Sequence, residues 1–188
     1  MKRGQRLALL ALLTREMRKR DSWCGETHIQ KATFLLQDLL GVEAGFDFIL
    51  YRHGPFSFDL RDELSLMQAD DLLELCVRQQ GYGPTYALTR FSDEFLERFP
   101  KTAYRYSERI AFIADELNNK GVAELERIAT SFFIMNREGI TDTEERAERL
   151  IAIKPHITEV QALEASVYVN GLLHRAERRF PNEAPRAS

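Results

Sequence analysis

The string Tyr51-Arg52-His53-Gly54-Pro55-Phe56-Ser57 constrains this chain more than any other. Before it, Phe46 to Arg52 alternates and is rich in aromatic and β-branched residues, which predicts a short strand. Gly54 tolerates backbone angles closed to other residues. Pro55 fixes its own φ and keeps Gly54 out of the α region. The strand must therefore break at His53-Gly54-Pro55. Ser57 is placed to cap a following helix, with Asp59 in its first turn and Phe56, Leu60, Leu64 and Met67 on one face. Strand, sharp turn and helix must occur here in that order.

The flanking segments extend this outline. Gln5 to Lys19 repeats Leu9, Leu10, Leu13 and Met17 at helical spacing, and its basic end (Arg15, Arg18, Lys19, Arg20) suits the negative end of a helix dipole. Thr27 to Gln30 reads as a capping box opening a helix that buries Ile29, Ala32, Leu36 and Leu39 and stops at Gly41. Lys31 falls in the first turn of that helix, where a cation is disfavoured, and hints at a carboxylate partner. After the Gly-Pro helix, Leu72 to Val77 and Tyr86 to Thr89 flank a Gly-rich loop and predict a hairpin. From Ser92 the pattern is helical, with helices over about 93–99, 104–120 and 122–137. Two more follow capping boxes at Thr141 and Thr158, and the last runs to about Arg179 with Val160, Leu163, Val167 and Leu172 inward. The fold class expected is α+β, mainly α. A winged-helix-like module spans 1–91, a helical lobe spans 92–180, and a loose tail spans 181–188.

Charge narrows the function classes. Twenty-six Lys and Arg stand against 29 Asp and Glu, a formal net charge of −3. Dedicated nucleic-acid binders rely on basic surfaces to neutralise phosphate. The exposed face expected for the helix after Gly-Pro carries Asp59, Asp62, Glu63 and Asp70 against Arg61. As a recognition helix it would repel a phosphate backbone, so nucleic acid is disfavoured as a partner. A winged-helix DNA-binding regulator stands as the alternative reading. Two cysteines, Cys24 and Cys76, are too few for a disulfide scaffold and suit a reducing compartment. The run Leu7–Leu13 imitates a signal peptide but no small-residue cleavage site follows, and no stretch reaches the roughly 20 apolar residues of a membrane span. These features predict a cytoplasmic protein.

Catalytic chemistry finds no constellation. His53 lacks an evident acid or nucleophile partner, and the expected role of its ring is to brace the turn. Cys24 and His28 are four apart but lack the further ligands of a zinc site, so no metal or cofactor is expected. Lys31, Tyr51 and Arg52 have two readings: convergence on an anion or partner carboxylate, or an internal ion pair to Asp59 or Glu63. Aromatics with Arg enrich the centres of protein interfaces. On that basis Lys31, Tyr51, Arg52, His53, Phe58, Arg61 and Tyr82 are the candidate partner-binding residues, and Gly54, Pro55 and Ser57 build the turn.

Several segments also resemble a known family. The helix from Gln30-Lys31 to Leu36, the segment Phe48 to Ser57 and the hairpin after it resemble the YwgA-like proteins and, more distantly, the Panacea domain of antitoxins, and Leu125-Glu126-Arg127-Ile128-Ala129-Thr130 and Ile153-Lys154-Pro155-His156-Ile157 resemble pieces of the family's C-terminal helical part. Panacea members usually carry an aromatic residue and a Lys before the Gly-Pro, where this chain has Arg52-His53. The resemblance implies a winged-helix-like core with a helical lobe. It also implies an interaction role without enzymatic activity, the partner being a toxin or other defence component.

Overall fold

The computed structural model describes residues 1–79 and 83–181. Its architecture is α+β and mainly helical. The order is α1 (Arg3–Lys19), α2 (Glu26–Asp38), β1 (Ile49–Tyr51), β2 (Gly54–Phe56), α3 (Phe58–Ala69), β3 (Leu73–Cys76), β4 (Thr85–Leu88), α4 (Phe91–Glu97), α5 (Pro100–Glu116), α6 (Val122–Phe133), α7 (Thr143–Ile153) and α8 (Glu159–Arg179). The expected tail beyond Pro181, and Tyr82 at the tip of the second hairpin, lie outside the described residues.

α1 is the central helix. Every residue from Leu7 to Thr14 is buried, so the helix is covered all round rather than along one stripe. It packs on α2, α4, α5 and β4. Its basic end is tied inward: Arg18 donates to the Tyr86 carbonyl at 3.1 Å, and Arg20 pairs with Glu16 and Asp115. One large core runs from α1 and α2 through α3, β3, β4, α4, α5 and α6 to Val169, Leu172 and Ala176 of α8. A smaller cluster joins Ile134, Ala147, Leu150, Ile157, Ala162 and Ala165.

Several expectations change. The strand expected over 46–52 contracts to Ile49–Tyr51, because Phe46 and Phe48 are buried in the core ahead of it. The Gly-Pro segment is not the turn but the second strand of a hairpin, with Ile49 opposite Phe56, Leu50 opposite Pro55 and Tyr51 opposite Gly54. The turn is Arg52-His53, both at negative φ, and Gly54 follows at φ +82°. Glycine adopts such left-handed backbone without the steric cost of a Cβ. β1 and β2 form their own sheet, and the β3–β4 hairpin stands apart from it. A first strand paired with the wing, which the winged-helix outline calls for, is therefore not seen among the described residues.

Two capping boxes also change. α2 has Gly25 rather than Thr27 at its N-cap, and Gln30 turns to the Gly-Pro strand instead. α7 is capped by Asp142, whose carboxylate accepts from Glu144 and Glu145, rather than by Thr141. The Thr158–Gln161 box and the Ser57 cap are both present. α5 begins at Pro100, where proline suits the first helical position, rather than at Tyr104.

α8 turns a different face inward. Val160, Leu163 and Val167 are exposed, at 66%, 40% and 57%, whereas Ala162, Ala165, Ser166, Val169, Leu172 and Ala176 are buried. The small residues let α8 approach α6 closely, bringing the Ser131 and Ser166 hydroxyls to 3.2 Å. α6 runs on into a π-helical turn, Ile134–Glu138, which brings Asn136 and Arg137 onto the Asp38 carboxylate at 3.2 and 2.7 Å.

Candidate interaction surface

Three elements from distant parts of the sequence hold the β1–β2 hairpin from below. α2 contributes Gln30 and Lys31. The Gln30 side chain accepts from the Ser57 amide and donates to the Ser57 carbonyl, both at 2.9 Å, so a side-chain amide acts as one rung of a strand pair. Lys31 Nζ donates to the Pro55 carbonyl at 2.9 Å and is only 1% exposed. Burial pulls the Lys31 ammonium down to about 8, against the opposing pull of Glu126.

α6 contributes Glu126 and Thr130. Glu126 Oε1 lies 2.9 Å from His53 Nδ1, and Oε2 lies 3.9 Å from Lys154 Nζ. The Thr130 hydroxyl donates to the Glu126 carbonyl at 2.6 Å and sits directly beneath Gly54. A Cβ on residue 54 would stand 2.5 Å from that hydroxyl oxygen. Glycine is required there twice, for the backbone angle and for the close approach. The end of α7 contributes Lys154, whose Nζ donates to the Arg52 carbonyl at 3.0 Å. The Arg52 and Pro55 carbonyls and both backbone groups of Ser57 thus find side-chain partners, as buried backbone polar groups require.

The outer side of the same hairpin is aromatic. Tyr51, Phe56 and Phe58 form a triad with centroid separations of 5.8, 5.4 and 5.1 Å. Tyr51 is 45% exposed and Phe58 39%. Arg52 lies over the Tyr51 ring at 6.0 Å and Arg61 over the Phe58 ring at 5.1 Å. Arg61 is also bound to Asp62 at 2.8 Å.

Four of the expected contact residues, Tyr51, Arg52, Phe58 and Arg61, are therefore joined through the aromatic triad, whereas the His53 ring is turned to Glu126, the acid partner that the sequence did not reveal. Lys31 does not join them. It is buried under the hairpin and bonds a backbone carbonyl, and neither Asp59 nor Glu63 is its partner. Glu63 is held by Arg3 and Arg6 from α1, at 2.8 and 3.5 Å. Tyr82 lies outside the described residues. Gly54, Pro55 and Ser57 serve as strand and helix cap rather than as the turn itself. Glu126, Thr130 and Lys154 were missed as site residues. Their partners on the hairpin lie far away in the sequence, so no local spacing marks them.

Chemically, the buried charges are committed to one another and to backbone. Lys31 and Lys154 donate to carbonyls, and Glu126 faces His53 and Lys154. This arrangement fixes a loop. Cys24 is buried beside the Thr14 carbonyl, and burial pushes its thiol up to about 12, so it stays protonated and inert. Among the described residues no three His, Cys, Asp or Glu side chains gather as a metal site, and no helix is long and apolar enough to cross a membrane. No family model matches the chain, and no curated protein matches it either.

Proposed function

We propose that this chain is a non-enzymatic protein-interaction module, antitoxin-like or regulatory, that covers a partner protein with the face of the β1–β2 hairpin and the start of α3. One observation carries the reading. An aromatic triad, exposed at Tyr51 and Phe58 and edged by two arginines, rides on a hairpin whose backbone is pinned from below by Gln30, Lys31 and Lys154. Rigid aromatics with Arg at their margin are the usual energetic centres of protein interfaces, and preorganisation lowers the entropic cost of association.

The resemblance to YwgA-like proteins and Panacea domains supports the same reading. Four of its segments meet at this hairpin, through Gln30 and Lys31, Arg52 to Ser57, Glu126 and Thr130, and Lys154, while the β3–β4 hairpin that it also covers stands apart. A prokaryotic mobile-element or defence setting follows from that resemblance. Charge favours protein over nucleic acid as the partner. Asp59 and Asp62 are exposed beside the triad, while Arg18 and Arg20 are engaged within the molecule.

The test is affinity capture from the native host with and without nuclease, followed by mass spectrometry. One protein enriched under both conditions is the expected result. Enrichment that vanishes with nuclease would replace the reading with a nucleic-acid role.

A further inference from the structure

Helix α8 leaves an apolar stripe uncovered. Val160, Leu163 and Val167 recur at helical spacing, and all three are exposed, while other residues of the same helix are buried against α6 and α7. Single exposed apolar residues are ordinary. Three on one stripe, with charged residues around them, mark a surface that meets another molecule.

The stripe continues through Gly171 to His174 and Arg178, each three or four residues beyond the last. Gly171 is half-buried in mid-helix, where glycine weakens the helix. No backbone crowds it, and a Cβ there would meet only the Arg175 guanidinium. On the outer face it leaves a hollow one turn from Val167.

Charge divides the helix. Its exposed first half carries Glu159 and Glu164, and its exposed last half carries His174, Arg175, Arg178 and Arg179 against Glu177. Each half suits the dipole of its own helix. The dipole accounts for the charges but not for the exposed Val160, Leu163 and Val167. The same division makes α8 complementary to a second α8 laid antiparallel, acidic half against basic half.

The residues select orientation and register. In a parallel pair Glu164 would face Glu164 of the second copy. An antiparallel pair centred at the level of Ala165, amid the apolar residues, would again bring the two Glu164 carboxylates together. Centred at the level of Val169, Val167 falls opposite Gly171 of the second copy and Glu164 opposite its His174. Val160 then lies opposite Arg178, whose aliphatic stem can cover apolar surface while the guanidinium stays in water.

We propose that two copies of this chain associate through an antiparallel α8–α8 contact, with Val167 of each seated at Gly171 of the other. The contact uses none of the residues of the aromatic face, so it stands independently of the interaction reading. One helix pair buries less than a standard interface, so the expected Kd is weak, roughly 10–100 µM.

Sedimentation velocity on the full chain, from about 5 µM to about 1 mM, should show monomer converting to dimer. Val167→Glu, at an exposed position, should leave thermal melting unchanged and keep the chain monomeric throughout. Glu164→Lys and His174→Glu, both at exposed positions, should each weaken the dimer about tenfold, because two-fold symmetry repeats every new like-charge contact. Combining the two in one chain should restore dimerisation. No contact within the chain could do so, since residues ten apart stand about 15 Å apart along a helix. The proposal is overturned if the chain stays monomeric at the highest concentration, or if Val167→Glu dimerises like the wild type. It is equally overturned if the double variant dimerises no better than the single ones.

Discussion

Gly54 and Lys31 show how single residues set the hairpin. Gly54→Ala forces a side chain into left-handed backbone and against the Thr130 hydroxyl. The backbone term alone is roughly 1–2 kcal/mol, and the contact adds to it. The variant should melt several degrees lower, whereas Gly83→Ala, with open space at its Cβ, should not. Equal melting of the two would remove the argument for close approach.

Lys31 gives a pH signature with a definite sign. Its folded value of about 8 lies below the ordinary 10.5. Below about pH 8 the ammonium is charged in both folded and unfolded chains, and the burial cost applies in full. Between these two values the unfolded chain holds a proton that the folded one has released, so stability rises with pH, by about 3 kcal/mol over the window. Urea melts of the wild type and Lys31→Met should therefore diverge upward in favour of the wild type between pH 8 and 10.5. A pH-independent difference would mean that Lys31 is not buried as described.

At the scale of elements, α7 and the start of α8 form the unit most easily separated from the rest. They bury the smaller apolar cluster, and Arg146 ties them together from a fully buried position. Its guanidinium donates to the Thr141 and Ser166 carbonyls at 3.2 and 2.8 Å and to Asn170 Oδ1 at 2.6 Å. Arg146→Ala leaves those acceptors unpaired and a cavity beside them, a loss of roughly 2–4 kcal/mol. Hydrogen exchange should accelerate over 143–153 and the start of α8 while α1 and α2 stay protected. Uniform acceleration would show that the two clusters unfold as one.

Much of this element level was legible in the sequence. Helix order, the second hairpin, the Ser57 cap and the Thr158–Gln161 box all follow from local spacing. The face of α8 was not legible, because Val160, Leu163 and Val167 make the more apolar stripe while close packing selected the alanines. The capping role expected of Gln30 failed for a related reason. Its amide is worth more against the buried backbone of Ser57 than at an exposed helix start. The support under the hairpin was hidden because Glu126 and Lys154 come from about 70 and 100 residues further along, beyond any local pattern.

Across the whole molecule, a buried polar support underlies an aromatic face exposed at Tyr51 and Phe58. α1 anchors the core, α2 and α6 carry the buried groups, and the hairpin displays Tyr51, Arg52 and Phe58 on their far side. Such a face should behave as an interface centre, with single truncations costing about 2 kcal/mol or more of binding and little stability.

The most direct measurement is the affinity of the captured host partner for wild type and for Phe58→Ala, with thermal melting of both. Phe58→Ala should bind about 30-fold more weakly, the equivalent of about 2 kcal/mol, with melting nearly unchanged. Equal affinity for the two chains, with both folded, would contradict it and move the interface away from the hairpin.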